Sequence, residues 1–326
     1  MKLLITGGTG FLGHHLIKKL VALGFTDIRV LKTKDDKAEL LSGFNIEYTD
    51  GDIRDYEQVK IAVQGCQVVF HLVGMISYWD KMNKLQYEIN VLGTKNIVKA
   101  CLDNNISKLV YVSSNAAVGN LSGKLADENI EYNLGKLKVN YCDTKHLGEM
   151  EVLNGVKQGL NAVIICPASM YGDGDIRRIH SDLIFKFDGI FGRINIPGGL
   201  AVVDVDDVAD AMIKAWQKGK IGERYLIVGE NLTFKQIRAT IAKALGRKTP
   251  DINLSIWFLK ILSYIFITIS AITGKKPKLT PAMVNFFTLD FWFDNSKSIR
   301  ELDMQYTPFD QSIAKAVKWY KENGYL

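Results

Sequence analysis

The chain has 326 residues, of which 47% are hydrophobic and 23% charged, which excludes a disordered or fibrous protein and allows a sizeable core. Its net charge of +6 is spread over 41 basic and 35 acidic residues without a basic block, so nucleic-acid binding is not expected. Four widely separated cysteines form no C-x-x-C pair, so no metal site or disulfide framework is predicted, and a reducing, cytoplasmic location is favoured.

Short apolar runs alternate with helix-like segments from the first residues onward. The runs are KLLIT, IRVL, QVVFHLV, KLVYVSS and NAVIICP, and the helical segments lie near 13–23, 55–64, 85–103 and from Tyr141 onward. The first run directly follows Met1-Lys2, so no signal peptide is expected. Strands that alternate with helices are typical of βαβ crossovers. The sequence therefore predicts an α/β fold with a doubly wound parallel sheet, the Rossmann fold.

After about Gly172 the alternation ends, and glycine, proline and aromatic residues become more frequent until a last amphipathic helix at 311–323. We predict a Rossmann domain over residues 1–171 and a smaller lobe, mainly substrate-binding, over 172–326. Segments near 202–228, including the strand-like Val202 to Val205 and Tyr225 to Val228, are expected to return to the first domain. Ligands of open parallel sheets bind outside the carboxyl ends of the strands, so the lobe should contact the substrate.

A glycine-rich loop joins the first predicted strand to the first helix. Its glycines permit a tight turn, close approach of the backbone to a pyrophosphate and close packing of the helix on the sheet. A glycine triplet alone is weak evidence, but this one lies between a strand and a helix, which is the context that dinucleotide binding requires. The predicted cofactor contacts in the loop are Gly7, Thr9, Gly10, Phe11, Leu12 and Gly13.

The end of the second strand bears on the choice between NADP and NAD. NAD-preferring sites usually place Asp or Glu there, whereas this chain has Lys32-Thr33-Lys34. An ammonium group suits a 2′-phosphate, so NADP is favoured over NAD, with Lys32 and Lys34 as cofactor contacts. The alternative is that both lysines are merely solvated.

Tyr141 and Lys145 stand four residues apart, on one face of a predicted helix. A free tyrosine titrates near pH 10, and a nearby ammonium would bring the pKa of Tyr141 toward neutrality, as proton transfer requires. Ser113 and Ser114 end the strand KLVYVSS, where a hydroxyl can face the ligand crevice. We predict that Ser114 holds a substrate oxygen while Tyr141 transfers the proton and a nicotinamide transfers the hydride.

These motifs resemble, in order, the extended short-chain dehydrogenases/reductases, also called the NAD-dependent epimerase/dehydratase family. The matching segments are GGTGFLG, GDIRD, VFHLVG, NVLGT, VYVSSNAAVG, YCDTK, PASMYGDGD, VDVDDVADA and GERYLIVGENLT. The C-terminal part is similar to the subgroup around dihydroflavonol reductases, 3-beta-hydroxysteroid dehydrogenases and a hopanoid-associated epimerase-like branch. Homodimerisation is common in similar proteins and is expected here.

The resemblance implies roles for individual residues. It places Ser114, rather than Ser113, at the catalytic Ser/Thr position, and Tyr141 and Lys145 at the catalytic pair, which is also expected to contact the cofactor. Further cofactor contacts that it implies are Asp52 and Ile53 at the adenine, His71, Leu72 and Val73 at the end of a strand, Asn90 as a structural or relay residue, and Pro167 near the nicotinamide.

Two departures from the family pattern narrow the reaction. Nucleotide-sugar dehydratases carry Thr-Asp-Glu where this chain has Ser114-Asn115-Ala116, and epimerases carry an Arg-Asp pair where it has Leu200-Ala201. We therefore expect an NAD(P)-dependent oxidoreductase that transfers a hydride between nicotinamide and a carbonyl or secondary alcohol of a small, apolar or cyclic substrate. The alternatives are a nucleotide-sugar epimerase with tightly bound NAD and a non-catalytic NADP-binding or sensing protein.

An apolar stretch runs from Ile256 to Ile272 and contains one charged residue, Lys260. We expect a buried or pocket-lining helix. The alternatives are peripheral membrane contact through 256–278, where Lys275, Lys276 and Lys278 follow, a dimer surface, or a membrane span. Aromatic residues of this region are expected mostly in the core, and two or more facing the crevice would indicate an apolar or aromatic substrate: Trp257, Phe258, Phe286, Phe287, Phe291 and Trp292.

Overall fold

The apolar runs form strands, and the helix-like segments form helices between them. The computed structural model describes residues 1–36, 38–121, 123–187, 194–249 and 252–326. In these residues the strands are β1 (Leu3–Thr6), β2 (Ile28–Lys32), β3 (Glu47–Asp50), β4 (Val68–His71), β5 (Lys108–Val112), β6 (Ala162–Pro167), β7 (Ser169–Tyr171), β8 (Ile194–Asn195), β9 (Gly199–Asp204), β10 (Arg224–Ile227), β11 (Glu230–Thr233), β12 (Ile252–Asn253) and β13 (Asp290–Phe291).

The helices of the described residues follow the same alternation. They are α1 (Phe11–Ala22), α2 (Tyr56–Val63), α3 (Asn83–Tyr87), α4 (Thr94–Asp103), α5 (Asn140–Lys157), α6 (Asp182–Phe185), α7 (Val205–Lys218), α8 (Phe234–Leu245), α9 (Ile256–Thr273), α10 (Pro281–Phe287), α11 (Ser296–Leu302) and α12 (Phe309–Glu322). A π-helical segment, Glu88–Gly93, joins α3 to α4.

Seven strands form the central sheet in the order β10-β6-β5-β4-β1-β2-β3, and every neighbouring pair is parallel. Strands β1, β4 and β6 are buried along their whole length, as expected for a parallel sheet that helices cover on both faces. Helices α1 and α7 pack together on one face, and α2, α4 and α5 pack on the other. The predicted fold class, a doubly wound parallel sheet, is confirmed.

The order of the strands reverses between β1 and β4. Successive strands run outward from β1 to β3 in one direction and from β4 to β10 in the other. The connections that leave β1 and β4 therefore diverge to opposite faces of the sheet and leave a crevice at the carboxyl ends of these strands. In open parallel sheets this crevice is where ligands bind.

A second, smaller sheet contains β11, β9 and β13 in that order, and β7 also pairs with β9. Tyr225 to Ile227 lie in β10, which is in the central sheet beside β6. Val202 and Val203 lie in β9, which pairs with β7, β11 and β13 and not with the central sheet, whereas α7, which begins at Val205, packs on α1. Both segments are strand-like in sequence, and this pattern does not distinguish which sheet each one joins.

One group of ionisable side chains in the described residues has the geometry of a metal site: His15, Asp173 and Asp206. His15 Nδ1 lies 2.7 Å from Asp206 Oδ1, and the Lys315 ammonium contacts both carboxylates, at 3.0 Å from Asp173. The lysine supplies the positive charge that a metal would otherwise supply. The group is therefore an ion-pair network that connects α1 and α7 to α12.

Helix α9 contradicts the expectation of a buried helix. It is the one described helix that is long and apolar enough to cross a membrane, but only 17% of its residues are buried. The side chains of Trp257 and Ile272 are 71% and 81% exposed. Phe258 is exposed as well, so the expectation that Trp257 and Phe258 belong to the core is wrong. The reason is that the rest of the lobe covers one narrow side of the helix.

Helix α5 packs so closely on its neighbours that Gly148 has no room for a side chain. A Cβ at this position would lie 2.4 Å from the carbonyl oxygen of Asn90 and 2.8 Å from the hydroxyl of Tyr111. Gly148→Ala should therefore destabilise the protein by about 1–3 kcal/mol, although Ala normally stabilises a helix relative to Gly. Urea unfolding measures the change in the free energy of unfolding.

Gly43→Ala is the control, because a Cβ at Gly43 meets no atom within 4 Å. Its effect should stay within about 0.5 kcal/mol. A Gly148→Ala variant as stable as the Gly43→Ala variant would contradict the close packing.

Candidate active site

The glycine loop after β1 forms a tight turn beside the crevice. Gly7 has a φ of 75°, and the amide of Gly10 donates a hydrogen bond to the carbonyl of Gly7 at 3.0 Å. A Cβ on Gly13 would lie 2.3 Å from that same carbonyl oxygen. Only glycine at position 13 lets α1 begin this close to the turn, so the loop has the shape that the sequence predicts.

The N-terminus of α1 suits an anion. Gly10 is the N-cap residue, no side chain caps the helix, and its first turn carries no acidic residue. The first backbone amides of a helix lack partners within the helix and carry partial positive charge. Phe11 and Leu12 are buried beneath the loop, so the backbone itself lines the crevice here. These features fit the diphosphate of a dinucleotide.

The two lysines after β2 differ in their surroundings. Lys32 Nζ lies 3.0 Å from the carboxylate of Asp50 at the end of β3, whereas Lys34 is exposed. A carboxylate that the sequence analysis did not consider lies closer to the glycine loop. Asp36 accepts a hydrogen bond from the Thr9 hydroxyl at 3.4 Å and pairs with Arg177 at 2.9 Å. Lys32 is thus already paired with Asp50. Beside the glycine loop lie both a negative charge, on Asp36, and a positive charge, on Arg177.

The structure also locates the residues expected to surround the adenine. Asp52 has its carboxylate held by Arg54, at 2.6 Å, and Ile53 is buried against Gly93. Both lie in the connection that follows β3. The side chain of Ile53 is apolar and buried, and the neighbouring Asp52 is half-buried.

The side chain of His71 is part of the core. Thr6 Oγ1 lies 2.6 Å from Nδ1 and Thr94 Oγ1 lies 3.2 Å from Nε2, so both ring nitrogens have partners in β1 and α4. Burial lowers the pKa of His71 to about 3, which keeps the ring neutral. The ring thus points into the protein, and only the backbone of His71 is left to contact a cofactor at this strand end.

The segment that follows β4 is held in place by buried amides. Leu72 and Val73 are half-buried at the crevice. Asn90 accepts a hydrogen bond from the Met75 amide at 2.7 Å and donates one to the Met75 carbonyl at 3.0 Å. Gln86, which the sequence analysis missed, donates to the same carbonyl at 3.0 Å. Its spacing of four residues from Asn90 on one helix face was the available signal. Asn90 is thus placed as a structural residue.

The structure distinguishes between the two serines at the end of β5. Ser113 donates a hydrogen bond to the fully buried carboxylate of Glu149 at 2.7 Å and points away from the crevice. Ser114 lies at the start of a 3₁₀ turn, where its Oγ accepts from the Ala116 amide at 3.1 Å. The Tyr141 hydroxyl lies 3.4 Å from Ser114 Oγ. Ser114 and Tyr141, 27 residues apart in the chain, therefore meet.

Lys145 is one helical turn from Tyr141 and 4% exposed. Its ammonium donates to the Val112 carbonyl at 2.9 Å and to the Tyr111 hydroxyl at 3.5 Å. Burial lowers the pKa of Lys145 to about 8 and raises the pKa of Tyr141 to about 12, although the hydrogen bond with Ser114 acts in the opposite direction. The expected shift of the Tyr141 pKa toward neutrality is thus wrong for this arrangement, because burial of the phenol dominates.

An aromatic wall of Tyr78, Phe286 and Phe287 adjoins Tyr141. The ring of Tyr78 lies 6.0 Å from that of Tyr141, 5.8 Å from Phe286 and 5.4 Å from Phe287. Both phenylalanines belong to α10, so the lobe brings apolar surface next to the predicted catalytic residues. Pro167, at the end of β6, is buried. Tyr78 was missed because it lies in a loop without periodic pattern.

Acidification is expected to destabilise the fold through His71. Its pKa is about 3 in the folded protein and about 6.5 in the unfolded chain, so the unfolded state binds more protons between these values. Stability therefore falls as the pH decreases below about 6.5, and lowering the pH from about 7 to about 5 should cost about 2 kcal/mol. Urea unfolding at several pH values measures this loss.

His71→Gln removes the titrating ring. This variant should be less stable than the native chain at neutral pH but should lose less stability on acidification. Identical pH slopes for the two proteins would rule out His71 as a source of the effect.

Comparison with known protein sequences identifies the family. A sequence profile of the 3-beta hydroxysteroid dehydrogenase/isomerase family matches residues 4–218. A Synechocystis protein named a putative dihydroflavonol 4-reductase is 31% identical over 328 residues, which cover 99% of this chain and 95% of that protein. Sterol demethylase protein B of Methylococcus capsulatus is 26% identical, with 100% of both chains covered.

Solved structures share the fold. The crystal structure of gox2253 matches with a TM-score of 0.87 and 27% identity and covers 100% of this chain and 99% of that one. The dTDP-glucose 4,6-dehydratase DesIV of Streptomyces venezuelae, solved with NAD bound, is 20% identical with a TM-score of 0.77, covers 99% and 98%, and shares the fold. The chain belongs to the 3-beta hydroxysteroid dehydrogenase/isomerase family of extended short-chain dehydrogenases/reductases.

Proposed function

We propose that the chain is an NAD(P)-dependent oxidoreductase that interconverts a carbonyl and a secondary alcohol in a small, apolar or cyclic substrate. The observation that carries the proposal is the 3.4 Å contact between the hydroxyls of Tyr141 and Ser114. This pair lies at the carboxyl ends of the strands, on the edge of the sheet that also carries the glycine loop. The family to which the chain belongs supports the same class of reaction.

The roles of the residues follow from their positions. A bound nicotinamide cofactor would supply or accept the hydride, and Gly7, Gly10 and Gly13 would hold its diphosphate. Since the pKa of Tyr141 is about 12, the phenol carries its proton at neutral pH. It can therefore protonate the oxygen of a carbonyl that is being reduced, while Ser114 stabilises the charge developing on that oxygen.

Lys145 lies on α5, one helical turn after Tyr141. Its ammonium is fixed by the Val112 carbonyl and lies beside Gly74, where a Cβ would be 3.5 Å from Nζ. Burial keeps the pKa of Tyr141 high, but a cation one helical turn away would stabilise the phenolate that forms when Tyr141 gives up its proton. With a pKa of about 8, Lys145 itself is mostly protonated at neutral pH.

Two features support an apolar substrate. The aromatic wall lies beside Tyr141, and a ring or alkyl group packed against it would be removed from water. Leu200 and Ala201, where epimerases carry the arginine that grips a sugar diphosphate, are buried in β9. The name of the relative Sterol demethylase protein B is consistent with a cyclic, apolar substrate class.

Ser114→Ala should lower the kcat for NAD(P)H-dependent reduction of a cyclic ketone by about 10²–10³-fold, because a donor to the developing oxyanion is lost. Tyr141→Phe should remove turnover by a comparable or larger factor. Both variants should still bind cofactor, since the glycine loop that would hold the diphosphate is unchanged and Tyr141→Phe keeps the ring. Steady-state kinetics on a panel of carbonyl substrates, together with thermal-shift titration of the cofactor, measures both properties.

Ser113→Ala is the matched control. It removes a hydroxyl one residue away that contacts Glu149 instead of Tyr141, so it should lower stability but leave kcat unchanged. Equal losses of kcat in Ser113→Ala and Ser114→Ala would contradict the assignment. Purified protein that retains stoichiometric NAD and reduces no free carbonyl would indicate an epimerase instead, and activity retained by Tyr141→Phe would indicate a binding protein.

We propose that NADP binding depends on Lys34 rather than on Lys32 and that Asp36 limits it. Lys32 is paired with Asp50, whereas Asp36 lies beside Thr9 of the glycine loop. Asp36→Asn should strengthen binding of NADP relative to NAD by about 5–10-fold, because it removes a charge that repels a 2′-phosphate and releases Arg177. Isothermal titration with both oxidised cofactors measures the ratio.

Asp35→Asn is the control for this change. Asp35 is exposed and precedes Asp36 by one residue, so the net charge changes equally at almost the same place. An equal change in the ratio of NADP affinity to NAD affinity for both variants would show that only the net charge matters. No change in either variant would show that Asp36 has no part in cofactor choice.

A further inference from the structure

The outward surface of α9 is apolar. The exposed large residues of this helix, which we call the apolar face, are Ile256, Trp257, Phe258, Ile261, Tyr264, Ile265, Ile269 and Ile272. An amphipathic helix on a protein that meets only water buries such residues and exposes polar ones. Contiguous exposed apolar surface on a soluble protein marks a site of association.

The side of α9 that faces the protein is narrow and partly polar. Its buried residues are Leu259, Ser263 and Ser270. The hydroxyls of the two serines donate to carbonyls of their own segment, Ser263 to Lys260 at 2.7 Å and Ser270 to Lys275 at 2.6 Å. Their burial therefore leaves no hydroxyl unsatisfied. In α9 most large apolar side chains thus face outward and two of the three buried side chains are polar, which is the reverse of an ordinary surface helix.

The charged residues of the segment that contains α9 have one sign. Between residues 252 and 289 the sequence contains no Asp or Glu, whereas it contains Lys260, Lys275, Lys276 and Lys278. All four lysines are exposed. Positive groups beside an apolar helix face attract anionic lipid headgroups, and the long stem of Lys260 lets its ammonium stay in the aqueous layer. Two copies of this face would instead bring eight positive charges together, which disfavours self-association.

The ends of α9 indicate how the helix lies. Just before it, β12 pairs with β8, and just after it α10 packs back against α9 itself. Both ends are therefore attached to the same folded lobe, whereas a helix that spans a bilayer has its ends on opposite sides. Trp257 and Tyr264 are 71% and 64% exposed and are residue types that favour the boundary between water and lipid.

We propose that the apolar face of α9 and the lysines at 275–278 dock the protein on the surface of an anionic lipid membrane, with α9 lying in the plane of the interface. The face inserts among the headgroups and upper acyl chains while the lysines pair with anionic headgroups. Helix α10 packs on α9 and carries Phe286 and Phe287 of the aromatic wall. Docking therefore brings the aromatic wall to the lipid, where apolar molecules concentrate. This orientation rests on the proposed function, but the docking does not.

Vesicle flotation of the full chain tests the proposal. The protein should float with vesicles that contain phosphatidylcholine and phosphatidylglycerol, and much less with phosphatidylcholine alone. Salt at about 1 M shortens the Debye length to about 3 Å and should weaken the binding. Ile265→Glu with Ile272→Glu should abolish flotation. Lys275→Glu with Lys276→Glu should weaken partitioning into anionic vesicles about tenfold or more.

Control variants carry the same changes at other exposed positions. Ile61→Glu in α2 changes an isoleucine that is 62% exposed, and Lys318→Glu with Lys321→Glu in α12 reverses two exposed lysines. Neither should alter flotation. Binding that all four variants lose alike, or that none of them changes, would overturn the assignment to α9.

Other outcomes would also overturn the proposal. A protein that never floats and forms a dimer in light scattering that Ile265→Glu with Ile272→Glu dissociates would show that a second copy covers the face. Bound protein that resists extraction by alkaline carbonate would show a spanning helix. Reduction of a water-soluble cyclic ketone without vesicles tests the proposed function separately, so failure of one proposal is distinguishable from failure of the other.

Discussion

The close contact between α5 and its neighbours at Gly148 is the constraint on which the site depends. Because Gly148 has no side chain, α5 approaches the carbonyl of Asn90 and the hydroxyl of Tyr111. Tyr141 and Lys145 lie on this same helix, so its distance from β5 decides whether the phenol meets Ser114 and whether the ammonium meets the Val112 carbonyl. Packing of the backbone thus determines the chemistry that the side chains can perform.

A buried carboxylate secures the same helix from the next position. Glu149 is fully buried, accepts a hydrogen bond from Ser113, the residue after β5, and pairs with Arg224 of β10 at 3.2 Å. A buried charge is tolerated only with such partners. The pairing directs Ser113 away from the crevice, and because successive residues of a strand point to opposite sides, Ser114 faces Tyr141. Glu149 thus ties α5 to Ser113 and to Arg224 of β10, whereas the direction of Ser114 follows from its extended backbone.

The site and α9 depart from the usual distribution of polarity in opposite ways. At the site, Lys145 and Ser114 are polar and buried, and burial shifts the pKa of Lys145 toward neutrality. On α9, Trp257 and Ile272 are apolar and exposed. Each arrangement costs folding free energy unless a ligand or a surface compensates it, which is why such departures concentrate where a protein binds or reacts.

Local spacing in the sequence was enough to predict the Rossmann fold, the glycine loop and the shared helix face of Tyr141 and Lys145, because each depends on strand and helix periodicity over a few residues. Only the tertiary structure decided which distant residues each side chain or strand contacts. It paired Lys32 with Asp50, turned His71 into the core, joined β9 to the second sheet and left α9 uncovered. The physical reason is that periodicity tells which residues share a face, whereas the charge, burial and pKa of a side chain depend on which distant residues that face meets.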